Sequence, residues 1–184
     1  NFASTFPESE PDIVMACCGD TPTLETIAAV SILKKNFKDL KIRVVNVVDL
    51  MKLQPDSEHP HGLSDEEYNK LFTKEKPIIF AFHGYPNLVE QLMYKRENRN
   101  VSVHGYLEEG TITTPFDMRV QNKLDRFNLV IDALNYLPDY DGKNEELKKW
   151  CKNKLIEHGK HIREYGVDMD EVNNWTYEES FKEL

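Results

Sequence analysis

Apolar residues in this chain fall into short dense runs, separated by stretches where they recur every three or four positions. Residues 12–18 (DIVMACC), 41–48 (KIRVVNVV), 76–82 (KPIIFAF) and 101–104 (VSVH) are runs of strand length. Near-continuous apolar strands are what a sheet covered on both faces requires. Pro77 fits such a strand only near its start. Between the runs lie helical patterns. Ile27, Val30, Leu33 and Phe37 share one helical face, with Thr21 as N-cap and Pro22 at the first helical position. Residues 64–72 (SDEEYNKLF) open on a Ser64-x-x-Glu67 capping box. A helix after residue 87 turns Leu88, Leu92 and Met93 inward. From Pro115 a single long helix carries Phe116, Val120, Leu124, Phe127, Ile131 and Leu134 at steps of three or four. Residues 144–165 form another, with Leu147, Trp150, Cys151, Leu155, Ile162 and Tyr165 as its stripe and Gly166 as its stop. Residues 49–63 are irregular, punctuated by Pro55, Pro60 and Gly62.

Strands joined by helical crossovers predict a mainly parallel sheet with helices on both faces, linked right-handedly. The expected fold is therefore a single three-layer αβα domain of the α/β class over residues 12–166. Residues 1–11, with two prolines and little periodicity, read as a linker, and 167–184 as an acidic tail. The linker-like opening and the absence of a leading methionine point to a fragment of a longer protein.

Composition narrows the function classes. A chain of 184 residues, 40% hydrophobic and 30% charged, suits one globular domain. The net charge of −9 argues against nucleic acid or an anionic membrane as partner. No apolar run reaches the ~18 residues of a membrane span, and no signal peptide opens the chain. Cys17, Cys18 and Cys151 make a poor disulfide framework and read as reduced, packing cysteines of a cytoplasmic protein. Cys17 and Cys18, adjacent in a strand, should point to opposite faces.

Candidate chemistry sits where strands end. The turn 18–22 (CGDTP) leads into a helix N-terminus, a place that can hold phosphate. Asp20 would repel one, however, and neither the dinucleotide fingerprint nor a P-loop is present. An ordinary capped turn is the stronger reading. His59 and His61, and His158 and His161, lack partners at metal-ligand spacing. His158 is expected to pack by its ring and His161 to be solvated. His83 and Tyr85 follow the third strand directly, on the side where open α/β sheets bind ligands. The bland reading is that His83 caps a backbone group and Tyr85 packs at a domain face. The loop holding Glu108, Glu109, Thr111 and Thr113 lies on the same side. Asp117 is explained as a carboxylate in a first helical turn. Arg119 is not, because a helix start disfavours a cation. It calls for Glu108, Glu109 or a group outside the chain. No nucleophile-base arrangement is visible. The residues read as a supporting domain, with His83, Tyr85, Glu108, Glu109, Thr111, Thr113 and Arg119 as candidate interdomain or active-site-rim positions. None is assigned as catalytic, cofactor-binding or metal-ligating.

Residues 83–87 (HGYPN), 105–129 (GYLEEGTITTPFDMRVQNKLDRFNL) and 12–29 (DIVMACCGDTPTLETIAA) closely resemble the C-terminal domain of phosphoketolases. TTPFDMRV with the nearby LDRF is the most specific part, and the likeness runs from about Pro11 to the helix at 144–165. It departs at Asn128, where family members often carry His. Phosphoketolases are transketolase-like enzymes dependent on thiamine diphosphate and Mg²⁺. The resemblance implies a transketolase C-terminal-like fold, and a whole enzyme cleaving xylulose 5-phosphate, often also fructose 6-phosphate. Inorganic phosphate is the second substrate, and acetyl phosphate and an aldose phosphate are the products. It implies a homodimer or larger homo-oligomer, with the cofactor held by N-terminal and middle domains at the dimer interface. The Gly-Asp-Gly motif that holds the diphosphate through magnesium is absent here, since Gly19-Asp20 is followed by Thr21. The fragment alone is expected to bind no cofactor and to be inactive. The alternative is a regulatory module whose pocket combines 49–63 with the edge at His83 and Thr111–Thr114.

Overall fold

The computed structural model describes residues 3–107 and 110–177. Its elements are β1 (Ile13–Cys18), α1 (Asp20–Asn36), β2 (Ile42–Asn46), a 3-10 turn (Leu50–Leu53), α2 (Asp65–Phe72) and β3 (Ile78–Phe82). There follow α3 (Pro86–Met93), β4 (Val101–Gly105), α4 (Pro115–Gln121), α5 (Arg126–Tyr136), α6 (Lys143–Tyr165) and α7 (Asp170–Asn173). The four strands are all parallel, in the order β2-β1-β3-β4. The most apolar runs, β1 and β3, take the centre, where both faces are covered.

Alternation along the strands divides the core in two. Ile13, Met15, Ile79 and Ala81 pack against Leu33 of α1, Leu129 and Ala133 of α5, and Leu147 of α6. Val14, Ala16, Ile78 and Phe80 face Tyr68 and Phe72 of α2 and Val89 and Leu92 of α3. This is the expected three-layer arrangement. The three cysteines are unpaired. Burial raises the pKa of each thiol, Cys151 to about 12, so they remain unreactive packing groups. No helix among the described residues is long and apolar enough to cross a membrane.

Several local expectations are corrected. The helix from Pro115 is two helices, because Lys123 turns to a φ of 53°. Asp125 then caps α5, its carboxylate accepting from the amides of Phe127 and Asn128. Apolar spacing runs unbroken across this turn because both helices bury the same side. Helix α1 starts at Asp20 rather than Pro22, since Gly19, at φ 107°, makes the turn. In α3 it is Val89, not Leu88, that is buried. In α6 Trp150 and Tyr165 are exposed, and His158 joins Leu147 and Cys151 inside.

The flanking segments are tied to the domain. In the stretch expected as a linker, the Ser4 hydroxyl accepts from the Val44 amide (2.9 Å), and the Thr5 amide donates to the Ile42 carbonyl (2.9 Å). In the tail, the Asp168 carboxylate accepts from the Phe116 amide (2.9 Å). The irregular segment 49–63 is ordered from below by Arg96. This arginine is 1% exposed and donates to the carbonyls of Leu53 (2.9 Å), Gln54 (2.5 Å) and Leu63 (2.9 Å).

Candidate functional site

Because all four strands are parallel, their carboxyl ends share one edge, and His83 and Tyr85 follow β3 there. His83 follows β3 and leans across the β1–α1 turn. Its Nδ1 lies 3.0 Å from Asp20 Oδ1, and its ring centroid is 5.1 Å from that of Tyr106, just after β4. Asp20 is held below the usual carboxylate range, first by the Thr21 amide and then by His83. Gly19 has to be glycine twice over. Its φ is positive, and a Cβ there would stand 2.5 Å from the His83 Cβ. The pair is solvent-exposed, and such pairs add little. His83→Ala is therefore expected to leave the thermal midpoint where it is, a result readable by calorimetry.

Tyr106 in turn lies beside Arg119 of α4, whose charge opposes the rise that burial gives the phenol's pKa. Glu108 and Glu109, expected as partners of this cation, lie outside the described residues. Among the described residues its partner is Glu25 of α1, whose Oε1 accepts from Arg119 Nη1 at 2.7 Å. Glu25 is fully buried, and it also takes the Arg126 amide (2.9 Å), Nε (2.9 Å) and Nη2 (3.0 Å). One carboxylate thus ties α1 to α4 and α5. Two guanidinium groups and a backbone N–H satisfy it, which is the condition for burying a charge. Arg126 reaches on to the Val172 carbonyl (3.4 Å) and lies over the Trp175 ring (5.2 Å).

The remaining predicted positions are spread around this hub. Thr113 donates to Asp117 Oδ2 (2.7 Å) and Thr111 to Gln121 Oε1 (3.1 Å), so both fasten the loop to α4. Tyr85 precedes α3 with its ring exposed. His158 is buried with its ring 4.9 Å from Phe116 and Nε2 3.3 Å from Asp168, a structural placement. His61 pairs with Asp49 (3.2 Å). Among the described residues no three His, Cys, Asp or Glu side chains converge as metal ligands would.

Sequence reasoning missed Glu25. The available signal was its register: Glu25, Ala28, Ala29 and Leu33 occupy one stripe of α1, so the carboxylate had to be buried with a partner. Asp125, next to Arg126, escapes notice in the same way. Burial pushes the Asp125 carboxyl up to about 6, with Glu25 adding to it and hydrogen bonds from Asn128 and Phe127 opposing. Its unfolded value is near 3.8, so across that window the native state holds more protons than the unfolded chain. The contribution of this group to stability is full below the lower value and falls as pH rises through the upper one. Asp125→Asn keeps a capping side chain and should abolish that fall. The wild-type-minus-mutant difference in unfolding free energy should then change by about 3 kcal/mol between about pH 4 and pH 7, measurable by urea titration.

Comparison with known proteins places the chain. A family model described as XFP C-terminal domain matches residues 1–177. A "Probable phosphoketolase" of Clostridium acetobutylicum is 59% identical over 177 residues, 96% of this chain and 22% of that protein. Those of Rhodopirellula baltica (59%) and Gloeobacter violaceus (57%) are similar over 178 residues, with the same 96% and 22% coverage. The chain thus spans about a fifth of the length of these curated relatives.

Proposed function

This chain belongs to the XFP C-terminal domain family, and on that premise we propose that it is the supporting C-terminal domain of a phosphoketolase. The observation carrying this reading is identity of 57–59% along nearly the whole chain to three proteins bearing that name. The full-length protein, on this proposal, is a carbon–carbon lyase. It cleaves xylulose 5-phosphate, and fructose 6-phosphate as a second ketose, with inorganic phosphate, giving acetyl phosphate and an aldose phosphate. Thiamine diphosphate with Mg²⁺ would supply the carbanion chemistry, and the protein would bind, orient and shield. We place the enzyme in the cytoplasm as a homodimer or larger homo-oligomer.

Among the described residues, the site nearest in kind does not fit the cofactor's diphosphate. The helix N-terminus nearest in kind, at Gly19, is roofed by His83, and Asp20 sets a carboxylate where the anion would sit. No step is therefore assigned to this domain. Its own residues do something else. Glu25, Arg119 and Arg126 lock three helices, and Asp20, His83 and Tyr106 cluster at the carboxyl edge. On this proposal the chemistry belongs to other segments of the full-length protein.

The regulatory reading expected a pocket joining 49–63 to His83 and Thr111–Thr114, whereas the open cleft of about 440 Å³ beside the irregular segment is closed by α3 instead, lined in part by Gln54, Glu58, Asn87 and Lys95. Lys95 is already paired with Glu58 at 2.7 Å. An anionic effector would have to displace that carboxylate, so the supporting role is preferred. Acetyl phosphate formation by the full-length protein from xylulose 5-phosphate and phosphate tests the proposal. A folded, cofactor-supplemented protein that forms none would refute it.

A further inference from the structure

Buried polar atoms normally find partners, and one pair of side chains in this domain does not. His158 Nδ1, His158 Nε2 and Asp168 Oδ1 lie inside the protein and, among the described residues, none has a hydrogen-bond partner. Nε2 is 3.3 Å from Oδ1, close enough for charge to act but without hydrogen-bond alignment. What this pair does depends on the charge of the imidazole. Neutral, the ring packs edge-on to Phe116, centroids 4.9 Å apart, and carries one N–H. Protonated, it carries a charge and two N–H donors. Nε2 can turn to Asp168, but Nδ1 has no acceptor among the described residues, so a buried donor is orphaned beside a desolvated charge. The titratable groups facing the ring are Asp168, Asp117 of α4, Glu171 of α7 and His161 of its own helix. Lys154 of that helix is engaged by Glu157 and Glu171 (3.3 and 3.0 Å), and Arg119 and Arg126 approach the Phe116 ring at 5.9 and 5.5 Å. Burial outweighs the carboxylates and holds the imidazole below its ordinary value of 6.5.

The pair sits where the segment after α6 is fastened to the domain. Asp168 turns its other oxygen, Oδ2, to the Phe116 amide of α4 at 2.9 Å. Further along, Val172 enters the core, its carbonyl takes Arg126 Nη2 at 3.4 Å, and the Trp175 ring lies 5.2 Å from the Arg126 guanidinium. The Val172 bond is long and the Lys154–Glu171 pair is partly exposed, which leaves Asp168 as the firmest polar tie. We propose that His158 and Asp168 form an acid-released latch, which holds residues 167–175 against α4 while the imidazole is neutral and lets them swing away once it is protonated. The closed segment binds fewer protons than the open one, so its hold is full well above pH 6.5 and weakens as pH falls below that value. Opening withdraws the Val172 and Trp175 contacts from Arg126 and so reaches the Glu25 hub. Asp125 titrates in the opposite sense, its contribution growing toward acid, and cannot mimic this response. The latch stands apart from the activity proposed above.

The test uses the full-length protein and amide hydrogen exchange, corrected for the chemical exchange rate. Relative to β1 amides, those of 168–174 should exchange about tenfold faster at about pH 5.5 than at about pH 7.5, the limit set by one pH unit below the ordinary histidine value. His158→Gln keeps an amide donor near Asp168 but does not titrate, and it should abolish the acceleration. Equal acceleration in that variant, or none in the wild type, would overturn the latch. So would slower exchange in acid, which would mean that the imidazolium ties the segment more tightly. A second measurement needs no substitution. Deuterium exchange at the imidazole C2 carbon, read by mass spectrometry across pH, titrates His158 in the wild-type protein. Its midpoint should lie below that of the same histidine in the urea-unfolded chain, and a midpoint at or above it would overturn the latch whatever the variant does.

Discussion

Replacing Glu25 with Ala is expected to destabilise the domain by about 5 kcal/mol, the upper end for breaking a buried ion pair. Glu25 accepts four hydrogen bonds from two arginines. Arg119 is partly exposed and can turn its guanidinium to water. Arg126 is 3% exposed and cannot, so most of the loss comes from its stranded charge and its orphaned amide. Glu25→Gln keeps the shape and one acceptor, and should lose roughly half as much. Joining Glu25→Leu to Arg126→Met should recover much of the loss, because a buried ion pair and an apolar isostere are often close in energy. Hydrogen exchange of the central β1 amides in the full-length protein reads these values. If Glu25→Ala leaves β1 protection intact, the hub does not organise the fold.

Arg96→Ala is expected to follow at about 4 kcal/mol, the sum of several buried acceptors left without donors. The guanidinium serves four carbonyls of the irregular segment, pairs with Asp65 at 2.8 Å and lies 4.1 Å over the Tyr68 ring. Arg96→Lys should rescue little, because a pyramidal ammonium cannot meet this planar set and cannot stack. The damage should be regional. Amides of 50–63 should exchange at loop rates, and the β1 amides should lose far less. Equal loss in both places would mean that the segment is part of the global folding unit.

How far the sequence discloses this molecule depends on where the partners come from. The strands were legible because β1 and β3 bury every residue or nearly so, and a short continuous apolar run suits little besides a strand covered on both faces. Parallel order followed from the crossovers, and with it the shared edge carrying His83, Thr111, Thr113 and Arg119. The α4–α5 break was hidden because apolar spacing ignores a cap, although Asp125 is a capping residue type. The one-residue error in α3 has a similar origin, since Leu88 and Val89 fit the pattern equally and only tertiary packing selects Val89. Arg119 was rightly read as needing a carboxylate, but the partner lies 94 positions away, beyond any local pattern. Arg96 left no trace at all, because its partners are mostly backbone carbonyls, which every residue has.

A domain that supports the enzyme, with a purely structural cluster at its carboxyl edge, should respond to Arg119→Ala in stability and not in turnover. The substitution is made in the full-length protein, with turnover measured well below the melting temperature alongside thermal unfolding. The expected result is a lower melting temperature with kcat near that of the wild type. A fall in kcat of about a hundredfold or more, the scale on which reacting-group contacts act, with melting unchanged would contradict the supporting role and place Arg119 at the active site.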